Sequence, residues 1–123
     1  MSNTQPPEAD LIRIRHMVDA AREAAAFIAG RERADLDADR MLVRALMHCI
    51  AEIGEAANRL SGGARSELAA VPWRDVVAMR NRMIHVYWDI NLDILWATVT
   101  RDLPHLLSVL DPWISERGPA DTA

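Results

Sequence analysis

The stretch Ala38–Leu60, ADRMLVRALMHCIAEIGEAANRL, decides how this chain folds. Leu42, Ala45, Leu46, Cys49, Ile53, Ala56 and Leu60 recur at three- and four-residue intervals. That period places them on one face of an α-helix, which needs an equally apolar partner to cover it. Asp35 or Asp37 is expected to cap the helix at its start, and Ser61-Gly62-Gly63 to end it.

The same period extends in both directions. Upstream, Leu11, Ile14, Val18, Ala21, Ala25 and Ile28 predict a helix from about Ala9 to Ala29, stopped at Gly30. The charged segment Arg31–Asp37 reads as a loop. Downstream, a short helical turn is expected around Ala64–Ala69. Pro72 marks a new start, and a third long helix should run from Trp73 towards His85. Asp89-Ile90-Asn91 breaks the pattern. Leu92, Leu95, Val99, Leu103, Leu106, Leu110 and Trp113 then form a long apolar seam. Pro104 lies inside that seam, so a kink or two helices laid end to end are expected there. No stretch alternates like a strand. The reading is an all-α bundle of four or five helices over residues 9–114, with a flexible N-terminus (1–8) and a flexible tail (115–123).

With 123 residues and half of them apolar, the chain has the size and composition of one globular domain. Its single cysteine, Cys49, forms no internal disulfide and falls on an apolar face, which fits a reduced, cytoplasmic protein. The polar N-terminal segment does not read as a signal peptide, and no apolar run is long enough to span a membrane. The formal charge of −4 argues against nonspecific binding to nucleic acid, whose affinity comes largely from neutralised phosphates. RNA binding would need a local basic site. The chain contains no lysine and all 14 basic residues are arginines, a pattern most simply ascribed to coding bias.

One segment carries chemistry: Arg80-Asn81-Arg82-Met83-Ile84-His85-Val86-Tyr87. Histidine titrates near neutrality and can act as base or acid. Arginine stays charged and can clamp a phosphate through two donors. Tyrosine can stack on a base or bond to a phosphate. These side chains suit metal-free RNA cleavage; the alternative from the residues alone is a satisfied core histidine, an ion-paired surface arginine and a packing tyrosine. On an ideal helix Arg80 and His85 would stand ~140° apart, so they converge only if the helix loosens near His85 or two copies meet across a two-fold axis. A dimer would also supply two histidines, one as base and one as acid.

Pro72-Trp73-Arg74-Asp75, followed by Met79–Tyr87 with its Arg-x4-His-x-Tyr spacing, resembles the signature of HepT-like toxins of the HEPN superfamily of all-α ribonucleases. Ile53-Gly54-Glu55-Ala56-Ala57, Asn91–Trp96 and Asp102-Leu103-Pro104 resemble further blocks of that family, so the likeness covers about residues 8–113. It implies a HEPN helical bundle that is homodimeric, with two motifs lining one cleft. It implies metal-independent endoribonuclease activity leaving a 2′,3′-cyclic phosphate, with Arg80 and His85 catalytic. It implies a nucleotidyltransferase antitoxin that silences the toxin by transferring AMP from ATP to Tyr87. The toxin itself would use no cofactor. Where the family often places Asp, Asn or Tyr beside the motif tyrosine, this chain has Val86 and Trp88.

Asn81, Arg82 and Arg74 are the nearest supplements for phosphate binding. Glu55 is a candidate to pair with Arg80 and orient it, or else an ordinary solvent-facing glutamate. His48 and Glu52 have a spacing that can hold metal, but the Glu-x-x-His pairs of a di-metal bundle are missing, so His48 reads as packing or dimer surface. His16 and His105 read as surface residues. Trp73, Trp96 and Trp113 read as packing, with Trp88 a candidate for base stacking. The rival function is a non-catalytic helical dimer that binds nucleotide or a transferase partner.

Overall fold

The structure, a computed structural model, describes residues 7–86 and 89–117, and for residues 85 and 86 the backbone alone. It is an all-α bundle. The long helices are α1 (Glu8–Phe27), α3 (Arg40–Asn58), α5 (Trp73–Met83) and α7 (Leu103–Glu116), joined by short helices α2 (Asp35–Ala38), α4 (Gly62–Glu67) and α6 (Leu92–Ala97). Helix α3 lies between α1 and α5, and α7 packs on α1. Leu46, Cys49, Ile50 and Ile53 of α3 are fully buried and meet Ile14, Met17 and Ala24 of α1 in the same core. Each large side chain removed from water there stabilises the fold by about 1.5–3 kcal/mol before entropy is counted. Among the described residues no helix is long and apolar enough to cross a membrane.

Several local expectations need adjustment. Helix α1 turns further than its leading stripe suggested. Ala25 is exposed, and Met17, Ala20 and Ala24 are buried instead. Gly30 does end the helix region, with φ of 75°, a conformation glycine adopts without strain. The cap of α3 is neither Asp35 nor Asp37 but Asp39, whose Oδ1 accepts the Leu42 amide at 3.0 Å. Asp35 and Asp37 lie within α2, where Asp35 accepts the Glu32 amide and Asp37 pairs with Arg33. The expected flexible tail starts too early: Ser115 and Glu116 are helical, and Arg117 stacks on Trp113 and pairs with Glu67 at 2.6 Å.

Pro104 sits just after a change of helix type, so the seam is two helices, α6 and α7, laid end to end through a different segment. Thr98–Asp102 form a π-helical segment directly before α7, which absorbs the missing donor and the ring. Thr98 and Thr100 return their hydroxyls to the carbonyls of Ile94 and Trp96 at 2.8 and 2.6 Å.

The start of α5 is fixed from far away. Asp10, in the first turn of α1, is buried at 2 % exposure. Its carboxylate accepts the Ser61 amide at 3.0 Å and the Ser61 hydroxyl at 2.6 Å. The Ser61 oxygen in turn accepts the Ala64 amide and caps α4. Beyond α4 the Trp73 indole donates to the Leu68 and Arg65 carbonyls at 3.0 and 3.2 Å, anchoring the first residue of α5.

Candidate functional site

Helix α5 turns Trp73, Val76, Met79 and Met83 into the core. It approaches α3 closely at Gly54, where a Cβ would stand 3.5 Å from the Val77 carbonyl oxygen. With that face buried, Arg74, Arg80, Asn81 and Arg82 are all exposed. Successive residues turn by ~100°, so Arg74 and Asn81 share the outer flank, Arg80 lies on one side of it and Arg82 on the other. Among the described residues, none of these three arginines has an ion-pair partner, whereas Arg22, Arg31, Arg33, Arg59 and Arg117 are all paired. Arg80 and Arg82 occupy the last turn, where the helix dipole favours positive charge.

The helix expected to continue to His85 ends at Met83. Ile84–Val86 form a short strand, β1, paired antiparallel with β2 (Asp89–Ile90), Ile84 opposite Ile90 and Val86 opposite Asp89. A two-strand ladder this short is invisible as alternation in the sequence. Its base is closed by Asn91, whose amide donates to the Met83 carbonyl at 2.7 Å, satisfying one of the free carbonyls at the helix end. The Asn91 side chain also caps α6 by accepting the Ile94 amide at 3.0 Å. Met83 is buried at 1 % exposure and pins the junction. The motif is therefore split between two elements: Arg80 on the last turn of a helix, His85 in the middle of a strand. The ~140° separation of a continuous helix no longer applies. Tyr87, Trp88 and the side chain of His85 lie outside the described residues.

Glu55 does not pair with Arg80. Its carboxylate holds Arg59 at 2.8 Å on the surface of α3. His48 is not packed: its side chain is exposed and stands 3.6 Å from Glu52. Among the described residues no cluster of three His, Cys, Asp or Glu could hold a metal ion. His16 and His105 are exposed, as expected. Cys49 is a buried free thiol whose pKa burial and the neighbouring Glu23 carboxylate raise to about 11. It is a core group without a nucleophilic role at neutral pH.

Sequence reasoning passed over a recess between α5 and α7. Asp75 and Arg82 border it from α5, Asp102 and His105 from the start of α7. The only signal in the sequence was that Asp75 and Asp102 fall in two of the blocks singled out above.

Comparison with known proteins places these features. The profile of the family described as "Ribonuclease HepT-like" matches residues 17–112. A protein of Caldanaerobacter subterraneus subsp. tengcongensis, named "Putative RNase", is 35% identical over 72 residues, 58% of this chain and 64% of the relative. The "Probable ribonuclease HepT" of Thermococcus cleftensis is 31% identical over 72 residues, 58% of this chain and 66% of the relative. A "Putative RNase" of Methanocaldococcus jannaschii is 32% identical over 68 residues, 55% and 62% of the two chains. The matches cover less than two thirds of the length of each of these relatives. No solved structure matches. The family match spans most of the helical bundle, including α5 and the hairpin that carries the motif, and this chain belongs to the HepT-like ribonuclease family.

Proposed function

We propose that the protein is a metal-independent endoribonuclease, the toxin of a toxin–antitoxin pair, with Arg80 and His85 as its catalytic residues. One observation carries this reading: Arg80 sits exposed on the last turn of α5, unclaimed by any carboxylate among the described residues, directly before a hairpin that bears His85. Family membership supports the same reaction class.

The chemistry follows from the residue types. A histidine takes the proton of the ribose 2′-hydroxyl, and the oxygen attacks the adjacent phosphorus. The bond from phosphorus to the 5′-oxygen breaks, and that oxygen takes a proton from a second, protonated histidine. The products are a 2′,3′-cyclic phosphate and a 5′-hydroxyl. Arg80 donates to the phosphoryl oxygens, where negative charge accumulates in the transition state. A symmetric dimer supplies the second histidine, Arg74 and Asn81 hold flanking phosphates, and Arg82 is a further contact to the RNA.

Silencing fits the same site. In AMP transfer by a nucleotidyltransferase antitoxin, the Tyr87 phenolic oxygen attacks the α-phosphorus of ATP, pyrophosphate leaves, and the phenolic proton is released. The added phosphate would compete with RNA for the arginines. The toxin needs no cofactor of its own, and ATP is the partner's substrate.

The test is cleavage of RNA in EDTA by the unmodified protein, compared with Arg80→Ala and His85→Ala. Cleavage by wild type and none by either variant is expected. A wild type that cuts nothing refutes the reading and leaves the non-catalytic dimer, and one that cuts only with metal refutes the metal-independent mechanism. For silencing, intact mass after incubation with the partner and ATP should rise by AMP units, and Tyr87→Phe should stay unmodified.

A further inference from the structure

The recess between α5 and α7 has a volume of about 220 Å³. That is below the ~300–1,000 Å³ of clefts that take drug-sized ligands, so it suits a single ring system. Its walls are apolar, with Val76 and Met79 from α5 and Leu103 and Leu106 from α7. Asp75, Arg82, Asp102 and His105 form its rim. None of these four side chains is tied to another by a hydrogen bond or ion pair among the described residues. An apolar slot ringed by uncommitted donors and acceptors fits a flat heterocycle that is polar only at its edges.

The placement of the charges narrows the choice. Asp75 and Arg82 are seven residues apart, so they share one flank of α5 at a separation of ~10.5 Å along its axis. Arg82 stands at one end of the slot and Asp75 at the other. A guanine matches that polarity. Its O6 and N7 accept the two donors of one arginine, and its amine edge donates to a carboxylate. Adenine offers an amine beside N7 and cannot satisfy the arginine fork twice.

We propose that this recess is a guanine-binding pocket that selects the RNA substrate. Asp102 and His105 complete the rim, as second acceptor and as edge contact. The inference rests on the ribonuclease reading for its biological use but not for the binding itself. Arg80 and Arg82 flank opposite sides of the exposed face, with Asn81 and Arg74 between them. A strand held by Arg80 crosses that face before it reaches the recess. The selected base is therefore about one helix diameter, ~10 Å, from the scissile phosphate. The nucleotide preference should appear at a position removed from the cut, not at the bases flanking it. Splayed bases held in apolar slots and read at their edges are how proteins commonly recognise single-stranded RNA.

The experiment titrates the full chain with guanosine 5′-monophosphate, with the adenosine and cytidine monophosphates as comparators. It uses wild type, Asp75→Asn, Val109→Phe and Arg80→Ala. Val109 is half-buried at the recess, and phenylalanine there fills it. Guanosine monophosphate should bind at least tenfold more tightly than the cytidine nucleotide. Asp75→Asn should weaken it by about tenfold, Val109→Phe by more, and Arg80→Ala little. A parallel arm maps cuts on RNA of random sequence, where guanine should be enriched away from the cut and lose that enrichment in Asp75→Asn. Equal binding of the three nucleotides, or guanosine monophosphate binding that survives Val109→Phe and is lost in Arg80→Ala, overturns the pocket. Guanosine monophosphate held in the recess by a protein that cuts no RNA would instead support the pocket and sink the ribonuclease reading.

Discussion

Removing the Asp10 carboxylate should cost far more than its place in the first turn of an amphipathic helix suggests. The group is buried and accepts two hydrogen bonds from Ser61, 51 residues away. Hydrogen bonds to a charged acceptor contribute about 1.5–3 kcal/mol each, so the gross loss in Asp10→Ala is about 3–6 kcal/mol. Part is returned, because the variant no longer desolvates a charge. The Ser61 site is only half-buried, so water can reach the freed donors. A net loss of about 2–3 kcal/mol remains. In a domain of this size that lowers the melting temperature by about 8–12 °C. Ser61→Ala removes the same hydroxyl bond and the cap of α4, costing about 1–2 kcal/mol. Because the two side chains share one interaction, the double variant should be less destabilised than the sum, by about 1–2 kcal/mol. Urea denaturation of the four proteins measures this directly. A loss under about 0.5 kcal/mol in Asp10→Ala, or strict additivity, would refute the linkage that runs from α1 through α4 to the start of α5.

Further outcomes follow from the packing at three positions. Gly54→Ala should be neutral or stabilising by up to about 1 kcal/mol, since its Cβ makes only ordinary contact with α5 and alanine favours the helix. Gly54→Leu should push α5 away, costing about 1–3 kcal/mol in chemical denaturation and lowering activity with it. Trp73→Phe loses the indole bonds to Leu68 and Arg65 and should cost about 1 kcal/mol, seen as an earlier urea midpoint. For Cys49 the folded thiol ionises near 11 and the unfolded one near 9.0, so its contribution is complete below pH 9 and is lost as pH rises towards 11. Cys49→Ala should flatten the stability profile over that window, and an unchanged slope would contradict the burial effect.

Legibility in the sequence followed the range of the interactions. Helices α1, α3 and α7 are long enough for the 3.6-residue period to repeat several times, and their existence was plain. Their ends depended on closer competition. Asp35, Asp37 and Asp39 are equivalent as residue types. Only the short α2 turn, which occupies the first two, leaves Asp39 to cap α3. The end of α5 was missed because Met83 continues the apolar face. The signal for a stop lay in Ile84-His85-Val86, where β-branched residues flank the histidine and favour extended backbone. Asp10 had no local signal, since its partner lies on another element. In the motif, the placement of Arg80 and the His85 backbone on two different elements depended on the unseen hairpin. The pairing of Glu55 with Arg59 rather than Arg80 was open to sequence reasoning, because i,i+4 neighbours on one helix meet first.

The central claim is that Arg80 and His85 act on RNA, Arg80 doing so while contributing little to the fold. Arg80 is exposed and unpaired among the described residues, so Arg80→Ala should change stability by no more than about 0.5 kcal/mol. Its loss from the transition state should lower cleavage by about 100- to 1,000-fold. The decisive measurement is the rate of RNA cleavage in EDTA by Arg80→Ala and by wild type, at matched folded fraction. The account predicts a fall of at least about 100-fold with an unchanged denaturation midpoint. Cleavage within a few-fold of wild type in the folded variant would contradict it.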